Sequence, residues 1–322
     1  MREIPVPAAP HPAEPSARQS AAAAAPRGTR EEARRSPLLR IVVALGAICV
    51  AIVSLSAMPG WVSARELLGE VRSPGEAAFV AAHRGDRSAA PENTLPAVQA
   101  AIDGDFGYVE VDVALTADGH AVLLHDETLD RTTDGAGPLA QHTLEQVRAL
   151  DAGAWFGAAF TGTRVPTVDE FLALLATSHK RGLVELKGEW TPPAVAAFAT
   201  SVHERGLGDR VAVASFDART LAFMEEAAPQ IPRLAILRAL PDDTVAAARA
   251  LGVRGIVASS KAVLRSPEVI EQLHAAGLRI AVYTLNDDAK WQRALELGVD
   301  GIITDTPHRL RDWLQTEARG DG

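Results

Sequence analysis

The sequence predicts an α/β fold of the (β/α)8 TIM-barrel class, and three observations carry that prediction. From about residue 77 onward, short β-rich apolar runs alternate with amphipathic helical stretches. Eight strand runs fall within roughly 240 residues, the count and length of such a barrel. The first strand-to-helix turn, "HRGDRSAAPENT", lacks the G-x-G-x-x-G spacing expected of an open doubly wound sheet.

In chain order the strand runs are "EAAFVAAH", "YVEVDV", "LVELK", "RVAVASF", "RLAILR", "GIVASS", "RIAVYTL" and "GIITD". The helical stretches between them are "TLPAVQAAI", "TVDEFLALLATS", "PPAVAAFATSVHERG", "ARTLAFMEEAA", "DDTVAAARALG", "SPEVIEQLHAAG" and "DAKWQRALELG". One segment breaks the alternation. "ALTADGHAVLLHDETL" follows the second strand with no helix, and Asp118-Gly119 between alternating apolar positions is a hairpin signal. With those two as the central turn residues, Asp112 lies opposite His125 and Glu110 opposite Glu127. The expected domain is an irregular barrel over residues 77–318, with a hairpin after its second strand.

Three segments precede it. Residues 1–36 are rich in Ala, Pro and Arg and hold almost no large apolar side chains, which predicts a disordered tail. The 24 positions between Arg40 and Arg65 carry no charge. At ~1.5 Å per residue they cover roughly 36 Å, enough to cross a bilayer core, so a single transmembrane helix is expected over residues 38–60. Arg27, Arg30, Arg34, Arg35 and Arg40 precede the run, while only Arg65 and Arg72 follow closely. That asymmetry puts the tail in the cytoplasm and the barrel outside it, at the cell membrane. The alternative is a cleavable signal segment, with "SLS" before Ala57 as the cleavage site and a secreted product. Residues 61–76 read as a linker.

The composition excludes some classes. A net charge of -9 argues against a nucleic-acid surface, which needs a basic stripe. The single cysteine, Cys49, leaves no intramolecular disulfide. A hydrophobic content of 47% is enough for one large core.

Polar residues at the C-terminal ends of barrel strands face the functional mouth. Here those tips read His83-Arg84, Glu110-x-Asp112, Glu185-x-Lys187, Ser215-Phe216, Tyr283-Thr284-x-Asn286 and Thr304-Asp305, and the hairpin adds His125-Asp126. Glu110 and Asp112 share one strand face, and Glu185 joins them from the next strand. Three converging carboxylates repel one another unless a cation sits between them, and hard oxygen donors suit Mg2+ or Ca2+. Arg84 and Lys187 supply cations for an anionic group, most naturally a phosphate. Two imidazoles, a divalent metal and two cations suit phosphodiester cleavage. Asn93-Thr94 can cap the helix that follows. Glu92 is either a first-turn helix charge or a mouth residue. Gly85 lets the backbone turn sharply and a ligand approach. Trp155-Phe156 is either a minor core plug or an apolar lip.

With their order and spacing, "AHRGDRSAAPENT", "EVDVALTADGHAVLLHDETLDRTTDG", "VPTVDEFLALL", "VELK", "ASF", "YTLN" and "GVDGIITDTP" resemble the bacterial glycerophosphodiester phosphodiesterases over roughly residues 78 to 315. The resemblance implies a TIM barrel that cleaves glycerophosphodiesters to glycerol 3-phosphate and an alcohol. It implies His83 and His125 as a catalytic pair and Glu110, Asp112 and Glu185 as divalent-metal ligands. It places Arg84 and Lys187 around the phosphate, and it implies first attack by the glycerol hydroxyl to give a cyclic phosphate that water opens. The family often has Trp where this chain has Tyr283, which alters the pocket wall. A lysophospholipase D acting on lysophospholipids is the alternative within hydrolases. An amidohydrolase-like barrel would need an H-x-H pair on the first strand, and His83-Arg84-Gly85 is not one. A non-catalytic headgroup binder predicts loss of a histidine or ligand, and none is missing.

Overall fold

Each of the eight predicted apolar runs forms a strand, and the strands close on themselves. The computed structural model describes residues 67–320. The expected tail and the expected span over 38–60 lie outside the described residues. Among those described, no helix is long and apolar enough to cross a membrane.

The strands are β1 (Phe79–Ala82), β2 (Tyr108–Leu115), β3 (Ala121–Leu123), β4 (Arg181–Leu186), β5 (Val211–Ser215), β6 (Arg233–Leu237), β7 (Gly255–Ser259), β8 (Arg279–Tyr283) and β9 (Gly301–Thr304). The helices are α1 (Leu95–Asp103), α2 (Leu144–Arg148), α3 (Val168–Ala176), α4 (Pro192–Glu204), α5 (Ala218–Ala227), α6 (Thr244–Ala250), α7 (Ser260–Arg265), α8 (Glu268–Ala275), α9 (Asp288–Glu296) and α10 (Pro307–Gly320). Eight strands pair in parallel, and β1 bonds to both β2 and β9, which closes the barrel. Among the described strands only β3 is antiparallel, against β2.

Strand periodicity sorts the side chains into two layers. Val109, Val111 and Val113 of β2 and Val184 and Leu186 of β4 face outward into the main core with the helices. Tyr108, Leu183, Ala212, Leu234 and Val257 fill the barrel interior. Glu110 and Asp112 are in phase with Tyr108, and Glu185 is in phase with Leu183. The interior face of these strands therefore turns from apolar to ionised on approaching the mouth. Helix starts are fixed by side-chain caps: Thr94 on α1, Thr167 in a capping box with Glu170 on α3, Thr191 ahead of Pro192 on α4, and Asp217 on α5.

Three details differ from expectation. The hairpin register is shifted by one residue: Val113 pairs with Leu123, and Leu124 donates its N–H to the Asp112 carbonyl at 3.1 Å. The loop has three residues, with Gly119 in the left-handed region at φ 80°, so Asp112 faces Leu124 and His125 lies one position further on. The expected linker is partly structural. Leu67 and Leu68 are buried within the interior cluster, the Tyr108 phenol donates to the Leu67 carbonyl, and Arg279 donates to the Gly69 carbonyl at 3.0 Å. Helices α2, α7 and α10 complete the set. The first two span five and six residues, too short for an amphipathic period to register.

Candidate active site

The chain leaves β1 through a left-handed pair, Arg84 at φ 58° and Gly85 at φ 74°. Positive φ costs a residue with a Cβ, and Arg84 is held there from both sides. Its N–H donates to Glu110 Oε2 at 2.8 Å, and its carbonyl accepts from the Asn93 N–H at 2.9 Å. Gly85 answers a different need from the one expected. A Cβ there would lie 2.6 Å from the Ala97 backbone carbon, so the close approach is to α1, not to a ligand.

Glu110, Asp112 and Glu185 converge as predicted. Asp112 and Glu185 are register partners across β2 and β4, and one oxygen of each of the three carboxylates lies within 4.8 Å of the others. Burial, then the charges of Asp112 and Glu185, push Glu110 well above the usual carboxylate range. Burial and Asp112 likewise raise Glu185. Burial also works against Asp112, but Lys187, Arg84 and both candidate histidines outweigh it, and its pKa is lowered. A buried all-oxygen triad in which the charge of Asp112 opposes ionisation of both glutamates fits a hard divalent cation, which would relieve the repulsion.

The two imidazoles are fixed alike. His83 Nδ1 lies 2.6 Å from Asp305 Oδ1, and His125 Nδ1 lies 2.6 Å from Asp126 Oδ1. Burial raises Asp305, but His83, Arg87 and Asn286 outweigh it and hold it well below the usual range. A hydrogen bond from Arg131 does the same for Asp126. An ionised carboxylate only accepts, so Nδ1 of each ring carries the proton. That leaves Nε2 of each ring for the cavity. Burial lowers the His125 pKa, opposed in part by Asp112 and Asp126.

The cations are committed to this framework. Arg84 bonds Glu92 at 2.6 Å and its Nε lies 3.3 Å from Asp112. Lys187 Nζ donates to Glu185 at 3.0 Å and lies 3.5 Å from Asp112. Asn93 does not cap α1. Its amide donates to Asp112 Oδ2 at 2.9 Å and its oxygen accepts the Asp112 N–H at 3.1 Å.

These groups meet on one cavity of about 310 Å3, lined by His83, Arg84, the three carboxylates, His125, Lys187 and Tyr283. Glu92 is not among the lining residues. It is buried behind Arg84 and gathers three guanidiniums, from Arg84, Arg87 and Arg131, at 2.6 to 2.7 Å. Trp155 and Phe156 are exposed and stack edge-to-face, 5.6 Å between centroids. The sequence placed Asp126 and Asp305 at element tips without a task, and it missed Arg87 and Arg131 entirely. Asp305 meets His83 only through barrel closure, but the adjacency of Asp126 to His125 was available as a signal.

A parallel barrel with two oriented imidazoles, a carboxylate triad and cations at its mouth defines a hydrolytic barrel enzyme built for an anionic substrate. Residues 83–309 match the model of the glycerophosphoryl diester phosphodiesterase family, and the chain belongs to that family. It is 32% identical over 247 residues to a glycerophosphodiester phosphodiesterase of Caldanaerobacter subterraneus, covering 72% of this chain and 96% of the relative. It is 30% identical to a Bacillus subtilis glycerophosphodiester phosphodiesterase, covering 74% of this chain and 87% of the relative. Among solved structures, an Oleispira antarctica phosphodiesterase in complex with the product sn-glycerol-3-phosphate superposes with a TM-score of 0.67 at 26% identity, over 74% of this chain and 96% of the other.

Proposed function

We propose that this enzyme hydrolyses glycerophosphodiesters to glycerol 3-phosphate and an alcohol, using His83 and His125 as acid and base. The observation that carries the reading is the matched pair of Asp-anchored imidazoles on the cavity that also holds the carboxylate triad. The Oleispira antarctica product complex supports the choice of substrate class.

Breaking the P–O bond needs a proton removed from the attacking glycerol hydroxyl and one delivered to the leaving alcohol oxygen, and a water then opens the cyclic phosphate with the acid and base roles exchanged. His125, which burial holds toward its neutral form, is suited to take the first proton at Nε2. His83 acts as the acid with both ring nitrogens protonated: Asp305 holds the Nδ1–H, and Nε2 delivers the second proton. Arg84 and Lys187 hold the phosphate by charge-assisted hydrogen bonds. Glu110, Asp112 and Glu185 would hold the cation, Ca2+ or Mg2+, which would neutralise charge on the phosphorus-bound oxygens. The uncharged run between Arg40 and Arg65 and its arginine asymmetry support an anchored enzyme with the barrel outside the cytoplasm.

The test is glycerol 3-phosphate release by the full chain from a panel of glycerophosphodiesters and lysophospholipids. Turnover of glycerophosphocholine that is lost to chelator and restored by Ca2+ or Mg2+ is expected, with His83→Ala and His125→Ala each inactive. No turnover of any glycerophosphodiester with either cation overturns the reading, and activity confined to lysophospholipids favours a lysophospholipase D. Protease accessibility of the barrel in intact cells tests the orientation.

A further inference from the structure

Around the barrel the strands run β1, β2, β4, β5, β6, β7, β8, β9, so β6 stands across the mouth from β1. The ionised groups cluster on the β1, β2 and β4 side. The far side of the same cavity is built differently, from apolar residues such as Ile236 and Val257, and it ends in Phe216 and Arg238. Strand parity puts these two there. Phe216 is in phase with Ala212 and Ala214, and Arg238 with Leu234 and Ile236, all members of the interior cluster.

Arg238 differs from the other cations of the cavity. Arg84 and Lys187 are paired with carboxylates. Among the described residues Arg238 has no ion pair, and its guanidinium lies over the Phe216 ring, 4.7 Å from the centroid. Phe216 is 43% exposed, so the pair stands at the rim. Tyr283 lines the same cavity. Two bare aromatic faces would suit a quaternary ammonium. Here the Phe216 face is already covered by a cation, which repels one.

We infer that Arg238, braced on Phe216, forms a subsite for the alcohol half of the substrate and selects glycerophosphodiesters whose alcohol bears a second anionic group. This rests on the phosphodiesterase reading above. With the scissile phosphate held at the β1, β2 and β4 wall, the alcohol extends across the apolar floor toward β6. A guanidinium there offers forked donors to an oxyanion and penalises choline.

The experiment measures kcat/KM of the full chain on glycerophosphoglycerol phosphate, glycerophosphoglycerol and glycerophosphocholine. The variants are Arg238→Lys, Arg238→Ala and Arg238→Glu. The wild type is expected to favour the phosphate-bearing substrate over glycerophosphocholine by about tenfold, mostly through KM, and added salt should narrow the ratio. Arg238→Lys retains most of the preference, Arg238→Ala loses it and Arg238→Glu reverses it. Equal turnover of the three substrates by the wild type, or a ratio that none of the variants moves, overturns the subsite and leaves the phosphodiesterase reading standing. Failure of the wild type to cleave any of the three overturns that reading instead. Arg238→Lys and Arg238→Ala keep the test decisive if Arg238→Glu does not fold.

Discussion

Asp305 Oδ1 lies 2.6 Å from His83 Nδ1 and joins the tip of the last barrel strand to the tip of the first. Asn286 keeps the carboxylate in place, donating to its Oδ2 at 2.7 Å and accepting the Asp305 N–H at 2.9 Å. The bond fixes both the ring orientation and the Nδ1–H tautomer. Asp305→Asn can offer its amide hydrogen to Nδ1, which opposes the Nδ1–H form, and it removes the negative charge that supports the protonated ring as an acid. A fall in kcat of about a hundredfold or more is expected, with KM changed far less. Steady-state kinetics check it, and an unaffected kcat contradicts the assigned orientation.

His125 should define the acidic limb of the pH profile. Its pKa is lowered from 6.5, by burial first, so the neutral base persists below the usual imidazole range. The hydrogen bond to Asp126 works in the opposite direction. Asp126→Asn therefore moves the acidic limb of kcat/KM to still lower pH, besides lowering the maximum. A shift toward neutral pH would contradict the assignment.

Glu92 is the buried anchor of three guanidiniums, and removing its charge leaves Arg84, Arg87 and Arg131 with only their outer partners Asp112, Asp305 and Asp126. Glu92→Gln is expected to lower stability by about 3 kcal/mol at neutral pH, the scale for breaking a buried ion pair. Burial raises the Glu92 pKa, but Arg131 and Arg84 outweigh it, so the folded value lies below 4.5. The contribution is therefore full above the unfolded value and is lost as pH falls through the folded one. Urea unfolding at pH 7 and pH 3 should show the gap between wild type and variant closing in acid.

Gly85→Ala probes the turn that presents His83 and Arg84. The backbone there is left-handed, and a Cβ would press on the Ala97 carbonyl group at 2.6 to 2.8 Å. A loss of about 3 kcal/mol is expected, combining left-handed strain with overpacking against backbone that cannot move freely. Equilibrium unfolding measures it, and a neutral effect would mean that α1 can retreat.

The apolar runs determined the eight strands, because a parallel barrel strand buried on both faces must be almost continuously hydrophobic. The period of two determined that Glu110 and Asp112 share a face, and likewise Glu185 and Lys187. Both followed from local chain geometry. The partners of the two histidines did not. Asp305 reaches His83 across 222 positions, a pairing that exists only because β9 closes on β1. The hairpin register was decided by a left-handed Gly119 in a three-residue loop, a choice between turns that the Asp-Gly pair alone leaves open. Glu92 was locally ambiguous, and three arginines from two separate loops settled its place behind the cavity. Arg238 was in phase with a buried strand face, but only the closed barrel set it across the mouth from His83.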